Sequence, residues 1–240
     1  TASSQGGGFV INGFKGVVMG GPSADVLVVP ARTSGDQRDE KGLTIFLVDA
    51  ASPGISKRDY PTIDGGRASE ITFENVEVAE TAVLGEVDNG LTLLEAGINN
   101  GILAVCAEAV GAMEVLYKTT VEYCKTRQQF GQPIGKFQVL QHRMVDMFME
   151  HEQAKSLLYM AAIRMSEDDE AGARKAISAL KVQVGKGGRF VGQSAIQLHG
   201  GMGMTDEYDV GFYLKRARVL EQSFGSSSWL KDRFSKLSGY

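Results

Sequence analysis

Three stretches of the chain bring together residue types that could hold a phosphorylated cofactor. In the first, Thr126-Arg127-Gln128-Gln129-Phe130-Gly131 runs into Gln132-Pro133-Ile134-Gly135. An arginine beside a glycine-containing turn can offer a phosphate a planar, permanently charged fork. The same arginine at a helix C-terminus also caps carbonyls and offsets the helix dipole, so both uses stay open. In the second, Phe137-Gln138-Val139-Leu140-Gln141-His142 sets Gln138 at a helix start. Its amide could pair with the edge of a heteroaromatic ring or simply be solvated. The third, Gln197-Leu198-His199-Gly200-Gly201-Met202-Gly203, places three glycines in four residues. That pattern suits a plain C-cap turn or a close approach by another backbone or a ligand. A helix, not a strand, precedes these glycines, which rules out the strand–GxGxxG–helix unit of a Rossmann fold. His199 reads as a packed histidine rather than a catalytic one.

These stretches need long helices to position them, and the hydrophobic spacing supplies those helices. Leu94, Ile98, Ile102, Val105, Ala109, Met113, Tyr117, Val121 and Cys124 step by three or four and predict a first long helix. A second is expected over about 137–166, with Leu140, Met144, Met147, Leu157 and Met165. A third is expected over about 169–198, with Ile177, Leu180, Val184, Val191 and Leu198. Shorter helices are expected over 209–220 and 227–236. Helices this long point to a bundle, and the methionines along them read as core filler. Before residue 85 the texture is β. Phe9-Val10-Ile11 and Val17-Val18-Met19 flank Asn12-Gly13, a dipeptide suited to a tight hairpin turn. Asp25–Arg32 and Leu43–Ala50 are apolar runs separated by the polar stretch 33–41, expected to be an exposed loop. Short strands of this kind predict an antiparallel barrel or sandwich. The expected organisation is therefore α+β: a β domain over 1–85, then a four-helix bundle domain over 86–240.

Bulk properties exclude several classes. The 240 residues carry a formal net charge of −4 and are 43% hydrophobic and 22% charged. No basic field is present to attract nucleic acid or anionic lipid. No run of ~18 uninterrupted apolar residues occurs, which excludes a membrane span by that criterion, and no secretory signal opens the chain. Cys106 and Cys124 lie in helical stretches with no histidine or cysteine cluster beside them. They read as reduced core thiols in a reducing compartment, taken as cytoplasmic, and no metal site is expected. The chain opens at Thr1 without a methionine, which reads as a fragment or a processed chain.

In their order and spacing, the stretches Tyr123-CKTRQQFGQPIGKFQVLQHRMVDM and Gln197-LHGGMGMTDEYDVGFYLKRAR resemble the acyl-CoA dehydrogenase family. The resemblance covers nearly the whole chain. Residues 1 to about 85 match the second half of the middle β domain and the rest matches the C-terminal four-helix domain; the N-terminal helical domain and the start of the β domain have no counterpart here. It implies FAD as cofactor, an acyl-CoA thioester as substrate and electron-transfer flavoprotein as acceptor. It also implies an oligomer, homomeric or heteromeric with a second dehydrogenase subunit, because the cofactor lies between neighbouring subunits. By the same resemblance Arg127 meets the FAD pyrophosphate, Phe130 and Gln138 line the cofactor, and Gln197, Gly200 and Gly201 approach its adenosine–pyrophosphate portion. Ser226 and Ser228 fall near the adenine end. Thr62–Glu70 and Ser223-Phe224-Gly225 give the chain the look of the small subunit of pimeloyl-CoA dehydrogenase and similar two-subunit enzymes.

The departures carry as much information as the matches. Where the family has Trp and Thr against the flavin, this chain has Val17 and Met19, and methionine supplies no hydroxyl donor. Removing the α-proton of the substrate needs a carboxylate. The family's two alternative positions for that base align with Phe224 and Gly101, and neither is acidic. Glu221, one helical turn before Phe224, is the nearest substitute. The expected function is FAD-dependent α,β-dehydrogenation of an acyl-CoA. The alternatives are a base-deficient partner subunit that shares FAD binding and an oxidase-like relative that hands electrons to oxygen.

Overall fold

The computed structural model describes residues 1–167 and 169–239. The chain forms two compact units, Thr1–Ile98 and Asn99–Tyr240. In the first, β1 (Ala2–Gln5), β2 (Gly8–Met19), β5 (Ile55–Pro61) and β6 (Arg67–Ala79) make an antiparallel sheet of order β1-β2-β6-β5. A second antiparallel sheet has the order β3-β4-β7, built from β3 (Val26–Arg32), β4 (Leu43–Asp49) and β7 (Val83–Leu84). Alternation sets the faces. Along β3, Leu27, Val29 and Ala31 are buried while Val26 and Val28 face outward. Those inward residues join Phe46 and Val48 of β4 and Ile11, Ile71, Phe73 and Val76 of the first sheet in one apolar core. The stretch 33–41 is a loop, held by the Arg32 guanidinium donating to the carbonyls of Gln37, Asp39 and Lys41.

Asn12-Gly13 is not the expected hairpin turn. β2 runs through it as one strand, and the hairpin falls at Gly6-Gly7, both in the left-handed region. The reason is a pairing between residues far apart in the chain. Asn12 Oδ1 accepts from the Asn75 N–H at 2.8 Å and Asn12 Nδ2 donates to Asn75 Oδ1 at 3.2 Å, so the asparagine bridges β2 to β6 at a bulge. A second irregularity follows between Lys15 and Val18, where Val17 adopts φ 53° with 63% of its surface exposed. A β-branched residue is strained there, because its Cβ crowds the following carbonyl. Val17→Asn, whose short side chain tolerates this region, is expected to raise stability by about 1 kcal/mol. Urea denaturation checks this, and an unchanged or lower midpoint would count against the strain.

The second unit takes in most of α1 (Leu91–Thr126), followed by the hairpin β8 (Gln128–Gln129) and β9 (Gln132–Pro133). It continues with α2 (Gln138–Met165), α3 (Glu170–His199), α4 (Val210–Gln222) and α5 (Ser227–Leu237). Asp169 caps α3 by accepting from the Gly172 N–H at 2.9 Å. α3 is the central helix and packs against α2, α4 and α5. Its buried stripe of Ile177, Leu180, Val184, Val191, Ala195 and Leu198 follows the helical period. Gly192 lets α4 come close, since a Cβ there would fall 2.6 Å from Leu214 Cδ1. α1 contributes Met113 against Gly187 of α3, and Tyr117 against Phe148 and His151 of α2. Met113 and Met147 are fully buried, as core filler should be, whereas Met149 and Met160 of α2 are exposed; both cysteines are buried free thiols. By length and composition α1 is apolar enough to cross a membrane, although no uninterrupted apolar run marks it. Its buried residues Ile102, Cys106, Ala109, Met113 and Leu116 form the stripe of a bundle helix.

Candidate functional site

The end of α1 and the end of α3 come together. Tyr123, Arg127, Gln129, Ile134, Gln197 and the loop His199–Met202 line an open groove of about 430 Å³. Arg127 is the first residue after α1, its N–H still bonded to the Tyr123 carbonyl at 2.8 Å, and its side chain is exposed. Gly200, at φ 60°, ends α3, and neither it nor Gly201 would place a Cβ within 4 Å of another atom. The glycines therefore leave a shallow cradle beside a guanidinium. Both helices present their C-termini here, the ends that carry partial negative charge. An anion in this groove depends on Arg127 to offset that field.

Four of the expected cofactor residues, Arg127, Gln197, Gly200 and Gly201, thus line one groove. Phe130 and Gln138 stand beside it. Phe130 and Gly131 form the tip of the β8–β9 hairpin with φ 55° and 78°, the positive-φ pair of a tight turn. Phe130 is 90% exposed, a bulky apolar ring held in strained backbone at a turn tip. Its one ring neighbour among the described residues is Phe137, at 6.1 Å edge to face, and Gln138 follows at the exposed start of α2.

Ser226 and Ser228 lie elsewhere, at the α4–α5 corner. Ser226 caps α5 by accepting from the Trp229 N–H at 3.4 Å, and Ser228 is exposed in the first turn of that helix. At the same corner Phe224 takes φ 58°, and its ring lies over Gly101 of α1. A Cβ at Gly101 would fall 2.6 Å from the ring's Cζ. The two positions singled out for a base therefore face each other, and an aromatic ring fills the space between them. Glu221 is bound by Arg218 and packs on α3, where a Cβ at Gly185 would fall 3.3 Å from Glu221 Cγ. Its backbone carbonyl and that of Leu220 accept from Lys181 Nζ at 2.9 and 2.6 Å. Val17 and Met19, the residues in place of the flavin-facing Trp and Thr, are both exposed on β2.

Two further residues shape these sites. Lys181 is buried in the apolar stripe of α3 and anchors the last carbonyls of α4, so it sets the corner that carries Phe224. Burial pushes its ammonium below the ordinary range. A lysine in register with Ile177, Leu180 and Val184 was the available sequence signal. Tyr123, four residues before Arg127, stacks on His199 with ring centres 4.3 Å apart, and Tyr208 closes the cluster. Burial pushes the Cys106 thiol up to about 12, so it is no nucleophile.

His151 and His199 give the fold a pH dependence. Burial lowers both below the usual 6.5, against the opposing pull of Glu152 and Glu114 on His151 and of the Ala195 carbonyl on His199. His151 Nδ1 stands 3.1 Å from Glu152 Oε1, without the geometry of a hydrogen bond. As pH falls through 6.5 the unfolded chain takes up protons first, so the contribution present above that pH is lost below it. Denaturation midpoints should drop between pH 7 and about 5, and the drop should shrink in His151→Gln. A midpoint flat across that window would contradict the burial of both rings as neutral species.

Comparison with known proteins places the chain. Residues 88–236 match the family description "Acyl-CoA dehydrogenase, C-terminal domain" and residues 1–76 match "Acyl-CoA dehydrogenase, middle domain". The chain belongs to the acyl-CoA dehydrogenase family. It is 34% identical over 224 residues to a mitochondrial isovaleryl-CoA dehydrogenase of Oryza sativa subsp. japonica, covering 92% of this chain and 54% of that protein. It is 31% identical over 230 residues to a 3-(aryl)acrylate reductase of Clostridium sporogenes (strain ATCC 15579), covering 95% and 60%. A solved structure, the FAD complex of PigA, superposes with a TM-score of 0.93 at 28% identity, covering 100% of this chain and 62% of that one. The chain thus spans little more than half the length of the curated relatives it matches.

Proposed function

We propose that the chain is a subunit of an FAD-dependent acyl-CoA dehydrogenase, acting in α,β-dehydrogenation of an acyl-CoA thioester. The observation that carries this reading is the groove in which Arg127 stands beside the open Gly200–Gly201 cradle. The donor set fits a dinucleotide: a guanidinium for the diphosphate, glycines that admit it closely, and the Gln197 amide for a sugar or base. When bound, FAD supplies the hydride acceptor. Arg127 holds the diphosphate; Gln197, Gly200 and Gly201 shape the adenosine–diphosphate path; Phe130 and Gln138 cover the cofactor from the hairpin and the start of α2. Ser226 and Ser228, away from that groove, serve the adenine end of a cofactor shared with a neighbouring subunit, so the protein works as a homo-oligomer or heteromer. In this reading residues 1–85 are part of the middle β domain and 86–240 the helical-bundle domain. Electrons pass to electron-transfer flavoprotein, and the two free thiols suit a reducing compartment such as the cytoplasm. The relatives favour a dehydrogenase subunit over a purely structural partner, since those compared are a dehydrogenase and a reductase.

The substrate class is tested without relying on turnover. Adding acyl-CoA to the flavin-loaded protein is expected to perturb the visible flavin band, whereas the free acid should not. A spectrum unmoved by every acyl-CoA would contradict the substrate assignment.

A further inference from the structure

The inward face of α2 is already filled: Met147, His151, Ala154 and Ala161 are buried there. Its opposite face is apolar as well. Of the seven large apolar side chains that α2 leaves exposed, six fall on that face: Val145, Phe148, Met149, Tyr159, Met160 and Ile163. Each is between 41% and 61% exposed, and only Val139, in the first turn, lies off the face. Val145, Met149, Glu152, Ser156, Tyr159 and Ile163 step by four and three in turn. That is the period of about 3.5 residues that keeps a seam against a partner helix. Phe148 and Met160 flank the seam, and the Phe148 ring is held edge to face by Tyr117 of α1.

The pattern reads the same in both directions about Ala154. A two-fold axis at that level lays a second α2 antiparallel on the first. Val145 then faces Ile163, Phe148 faces Met160, Met149 faces Tyr159 and Glu152 faces Ser156. Apolar meets apolar along the seam and polar meets polar at its centre, as a surface that must fit its own copy requires. A partner of another sequence needs no such symmetry. Glu152 brings no unbalanced charge to the axis, because Lys155 Nζ donates to its Oε1 at 3.1 Å. The seam is about 27 Å long, and a crossing of about 20° keeps two helices in contact over that length. Taking ~150–250 Å² for a large side chain, the six leave roughly 500 Å² exposed per copy, and pairing two copies buries about 1,000 Å², the threshold for a specific interface.

We propose that the outer face of α2 is where a second copy of this chain docks, the two helices packing antiparallel about a two-fold axis at Ala154. This rests on the homo-oligomer reading above and gives it a surface; FAD takes no part in it.

The test is sedimentation equilibrium of the full chain as wild type, Met149→Lys, Tyr159→Glu and the two combined. Wild type should sediment as a dimer or an even multiple of one. Each single variant should weaken association at least about tenfold, because it sets a charge against an apolar side chain in the seam. The combined variant should recover most of the loss, since position 149 of one copy faces position 159 of the other. Within one chain those positions are about 15 Å apart along the helix, too far to pair with each other. Both side chains are exposed, so the circular dichroism of every variant should match wild type. A wild-type dimer untouched by either single variant would overturn the inference and leave the oligomer reading standing, with the copies meeting through another face. Failure of the combined variant to recover would overturn the antiparallel register. A wild-type protein that stays monomeric at tens of micromolar would overturn the inference and the homo-oligomer together, as would association only with a subunit of different sequence.

Discussion

Arg127→Ala should weaken FAD binding by about ten- to a hundredfold, the loss of a charge-assisted contact worth ~1.5–3 kcal/mol. The large end of that range is expected, because the groove sits at the C-termini of both α1 and α3. Without the guanidinium a diphosphate would face two rows of terminal carbonyls and nothing to offset them. Arg127→Lys keeps the charge and loses the two-pronged geometry, so it should fall between the two. Arg127 is exposed and makes no side-chain contact that holds the fold together in the described residues, so thermal stability without FAD should barely change. FAD titration of the three proteins checks the order. Equal affinities would show that the arginine only caps α1.

Phe224→Glu should raise the rate of α-proton exchange in a bound acyl-CoA by at least about a hundredfold, the lower range for a positioned general base. The ring of Phe224 occupies the one place on which both expected base positions converge, and it is 45% exposed, so a glutamate there can stay ionised. The backbone already holds residue 224 at φ 58° beside Gly225 at φ 113°, and Lys181 pins the helix end just before it. Glu221→Gln is expected to change exchange little, because its carboxylate is taken up by Arg218 and lies against α3. Deuterium wash-in to the acyl chain, read by mass spectrometry, measures both. Loss of wild-type exchange in Glu221→Gln would instead make Glu221 the base. The other position, Gly101→Glu, should fail by itself because its Cβ meets the Phe224 ring.

What could be read from the residues follows from how local the physics is. Helical periodicity is a short-range signal repeated many times. The expected helices at 137–166 and 169–198 agree within a few residues with α2 and α3, Asp169 cap included. Asn12-Gly13 misled because one dipeptide serves a turn or a bulge alike, and the choice depends on Asn75, 63 residues away. The groove was legible as three separate stretches, since the arginine, the hairpin and the glycines each carry a local signature. That Tyr123 would stack on His199 was not, because the contact joins helices 76 residues apart. Nor could periodicity show Lys181 capping α4, because that contact joins residues 39 and 40 apart in the chain.

The most direct test of the account is the structure of the protein crystallised with FAD. The diphosphate should lie within hydrogen-bonding distance of the Arg127 guanidinium, against Gly200 and Gly201. A structure with FAD bound elsewhere and the Arg127 groove filled only by solvent would contradict the assignment of the site and the function built on it.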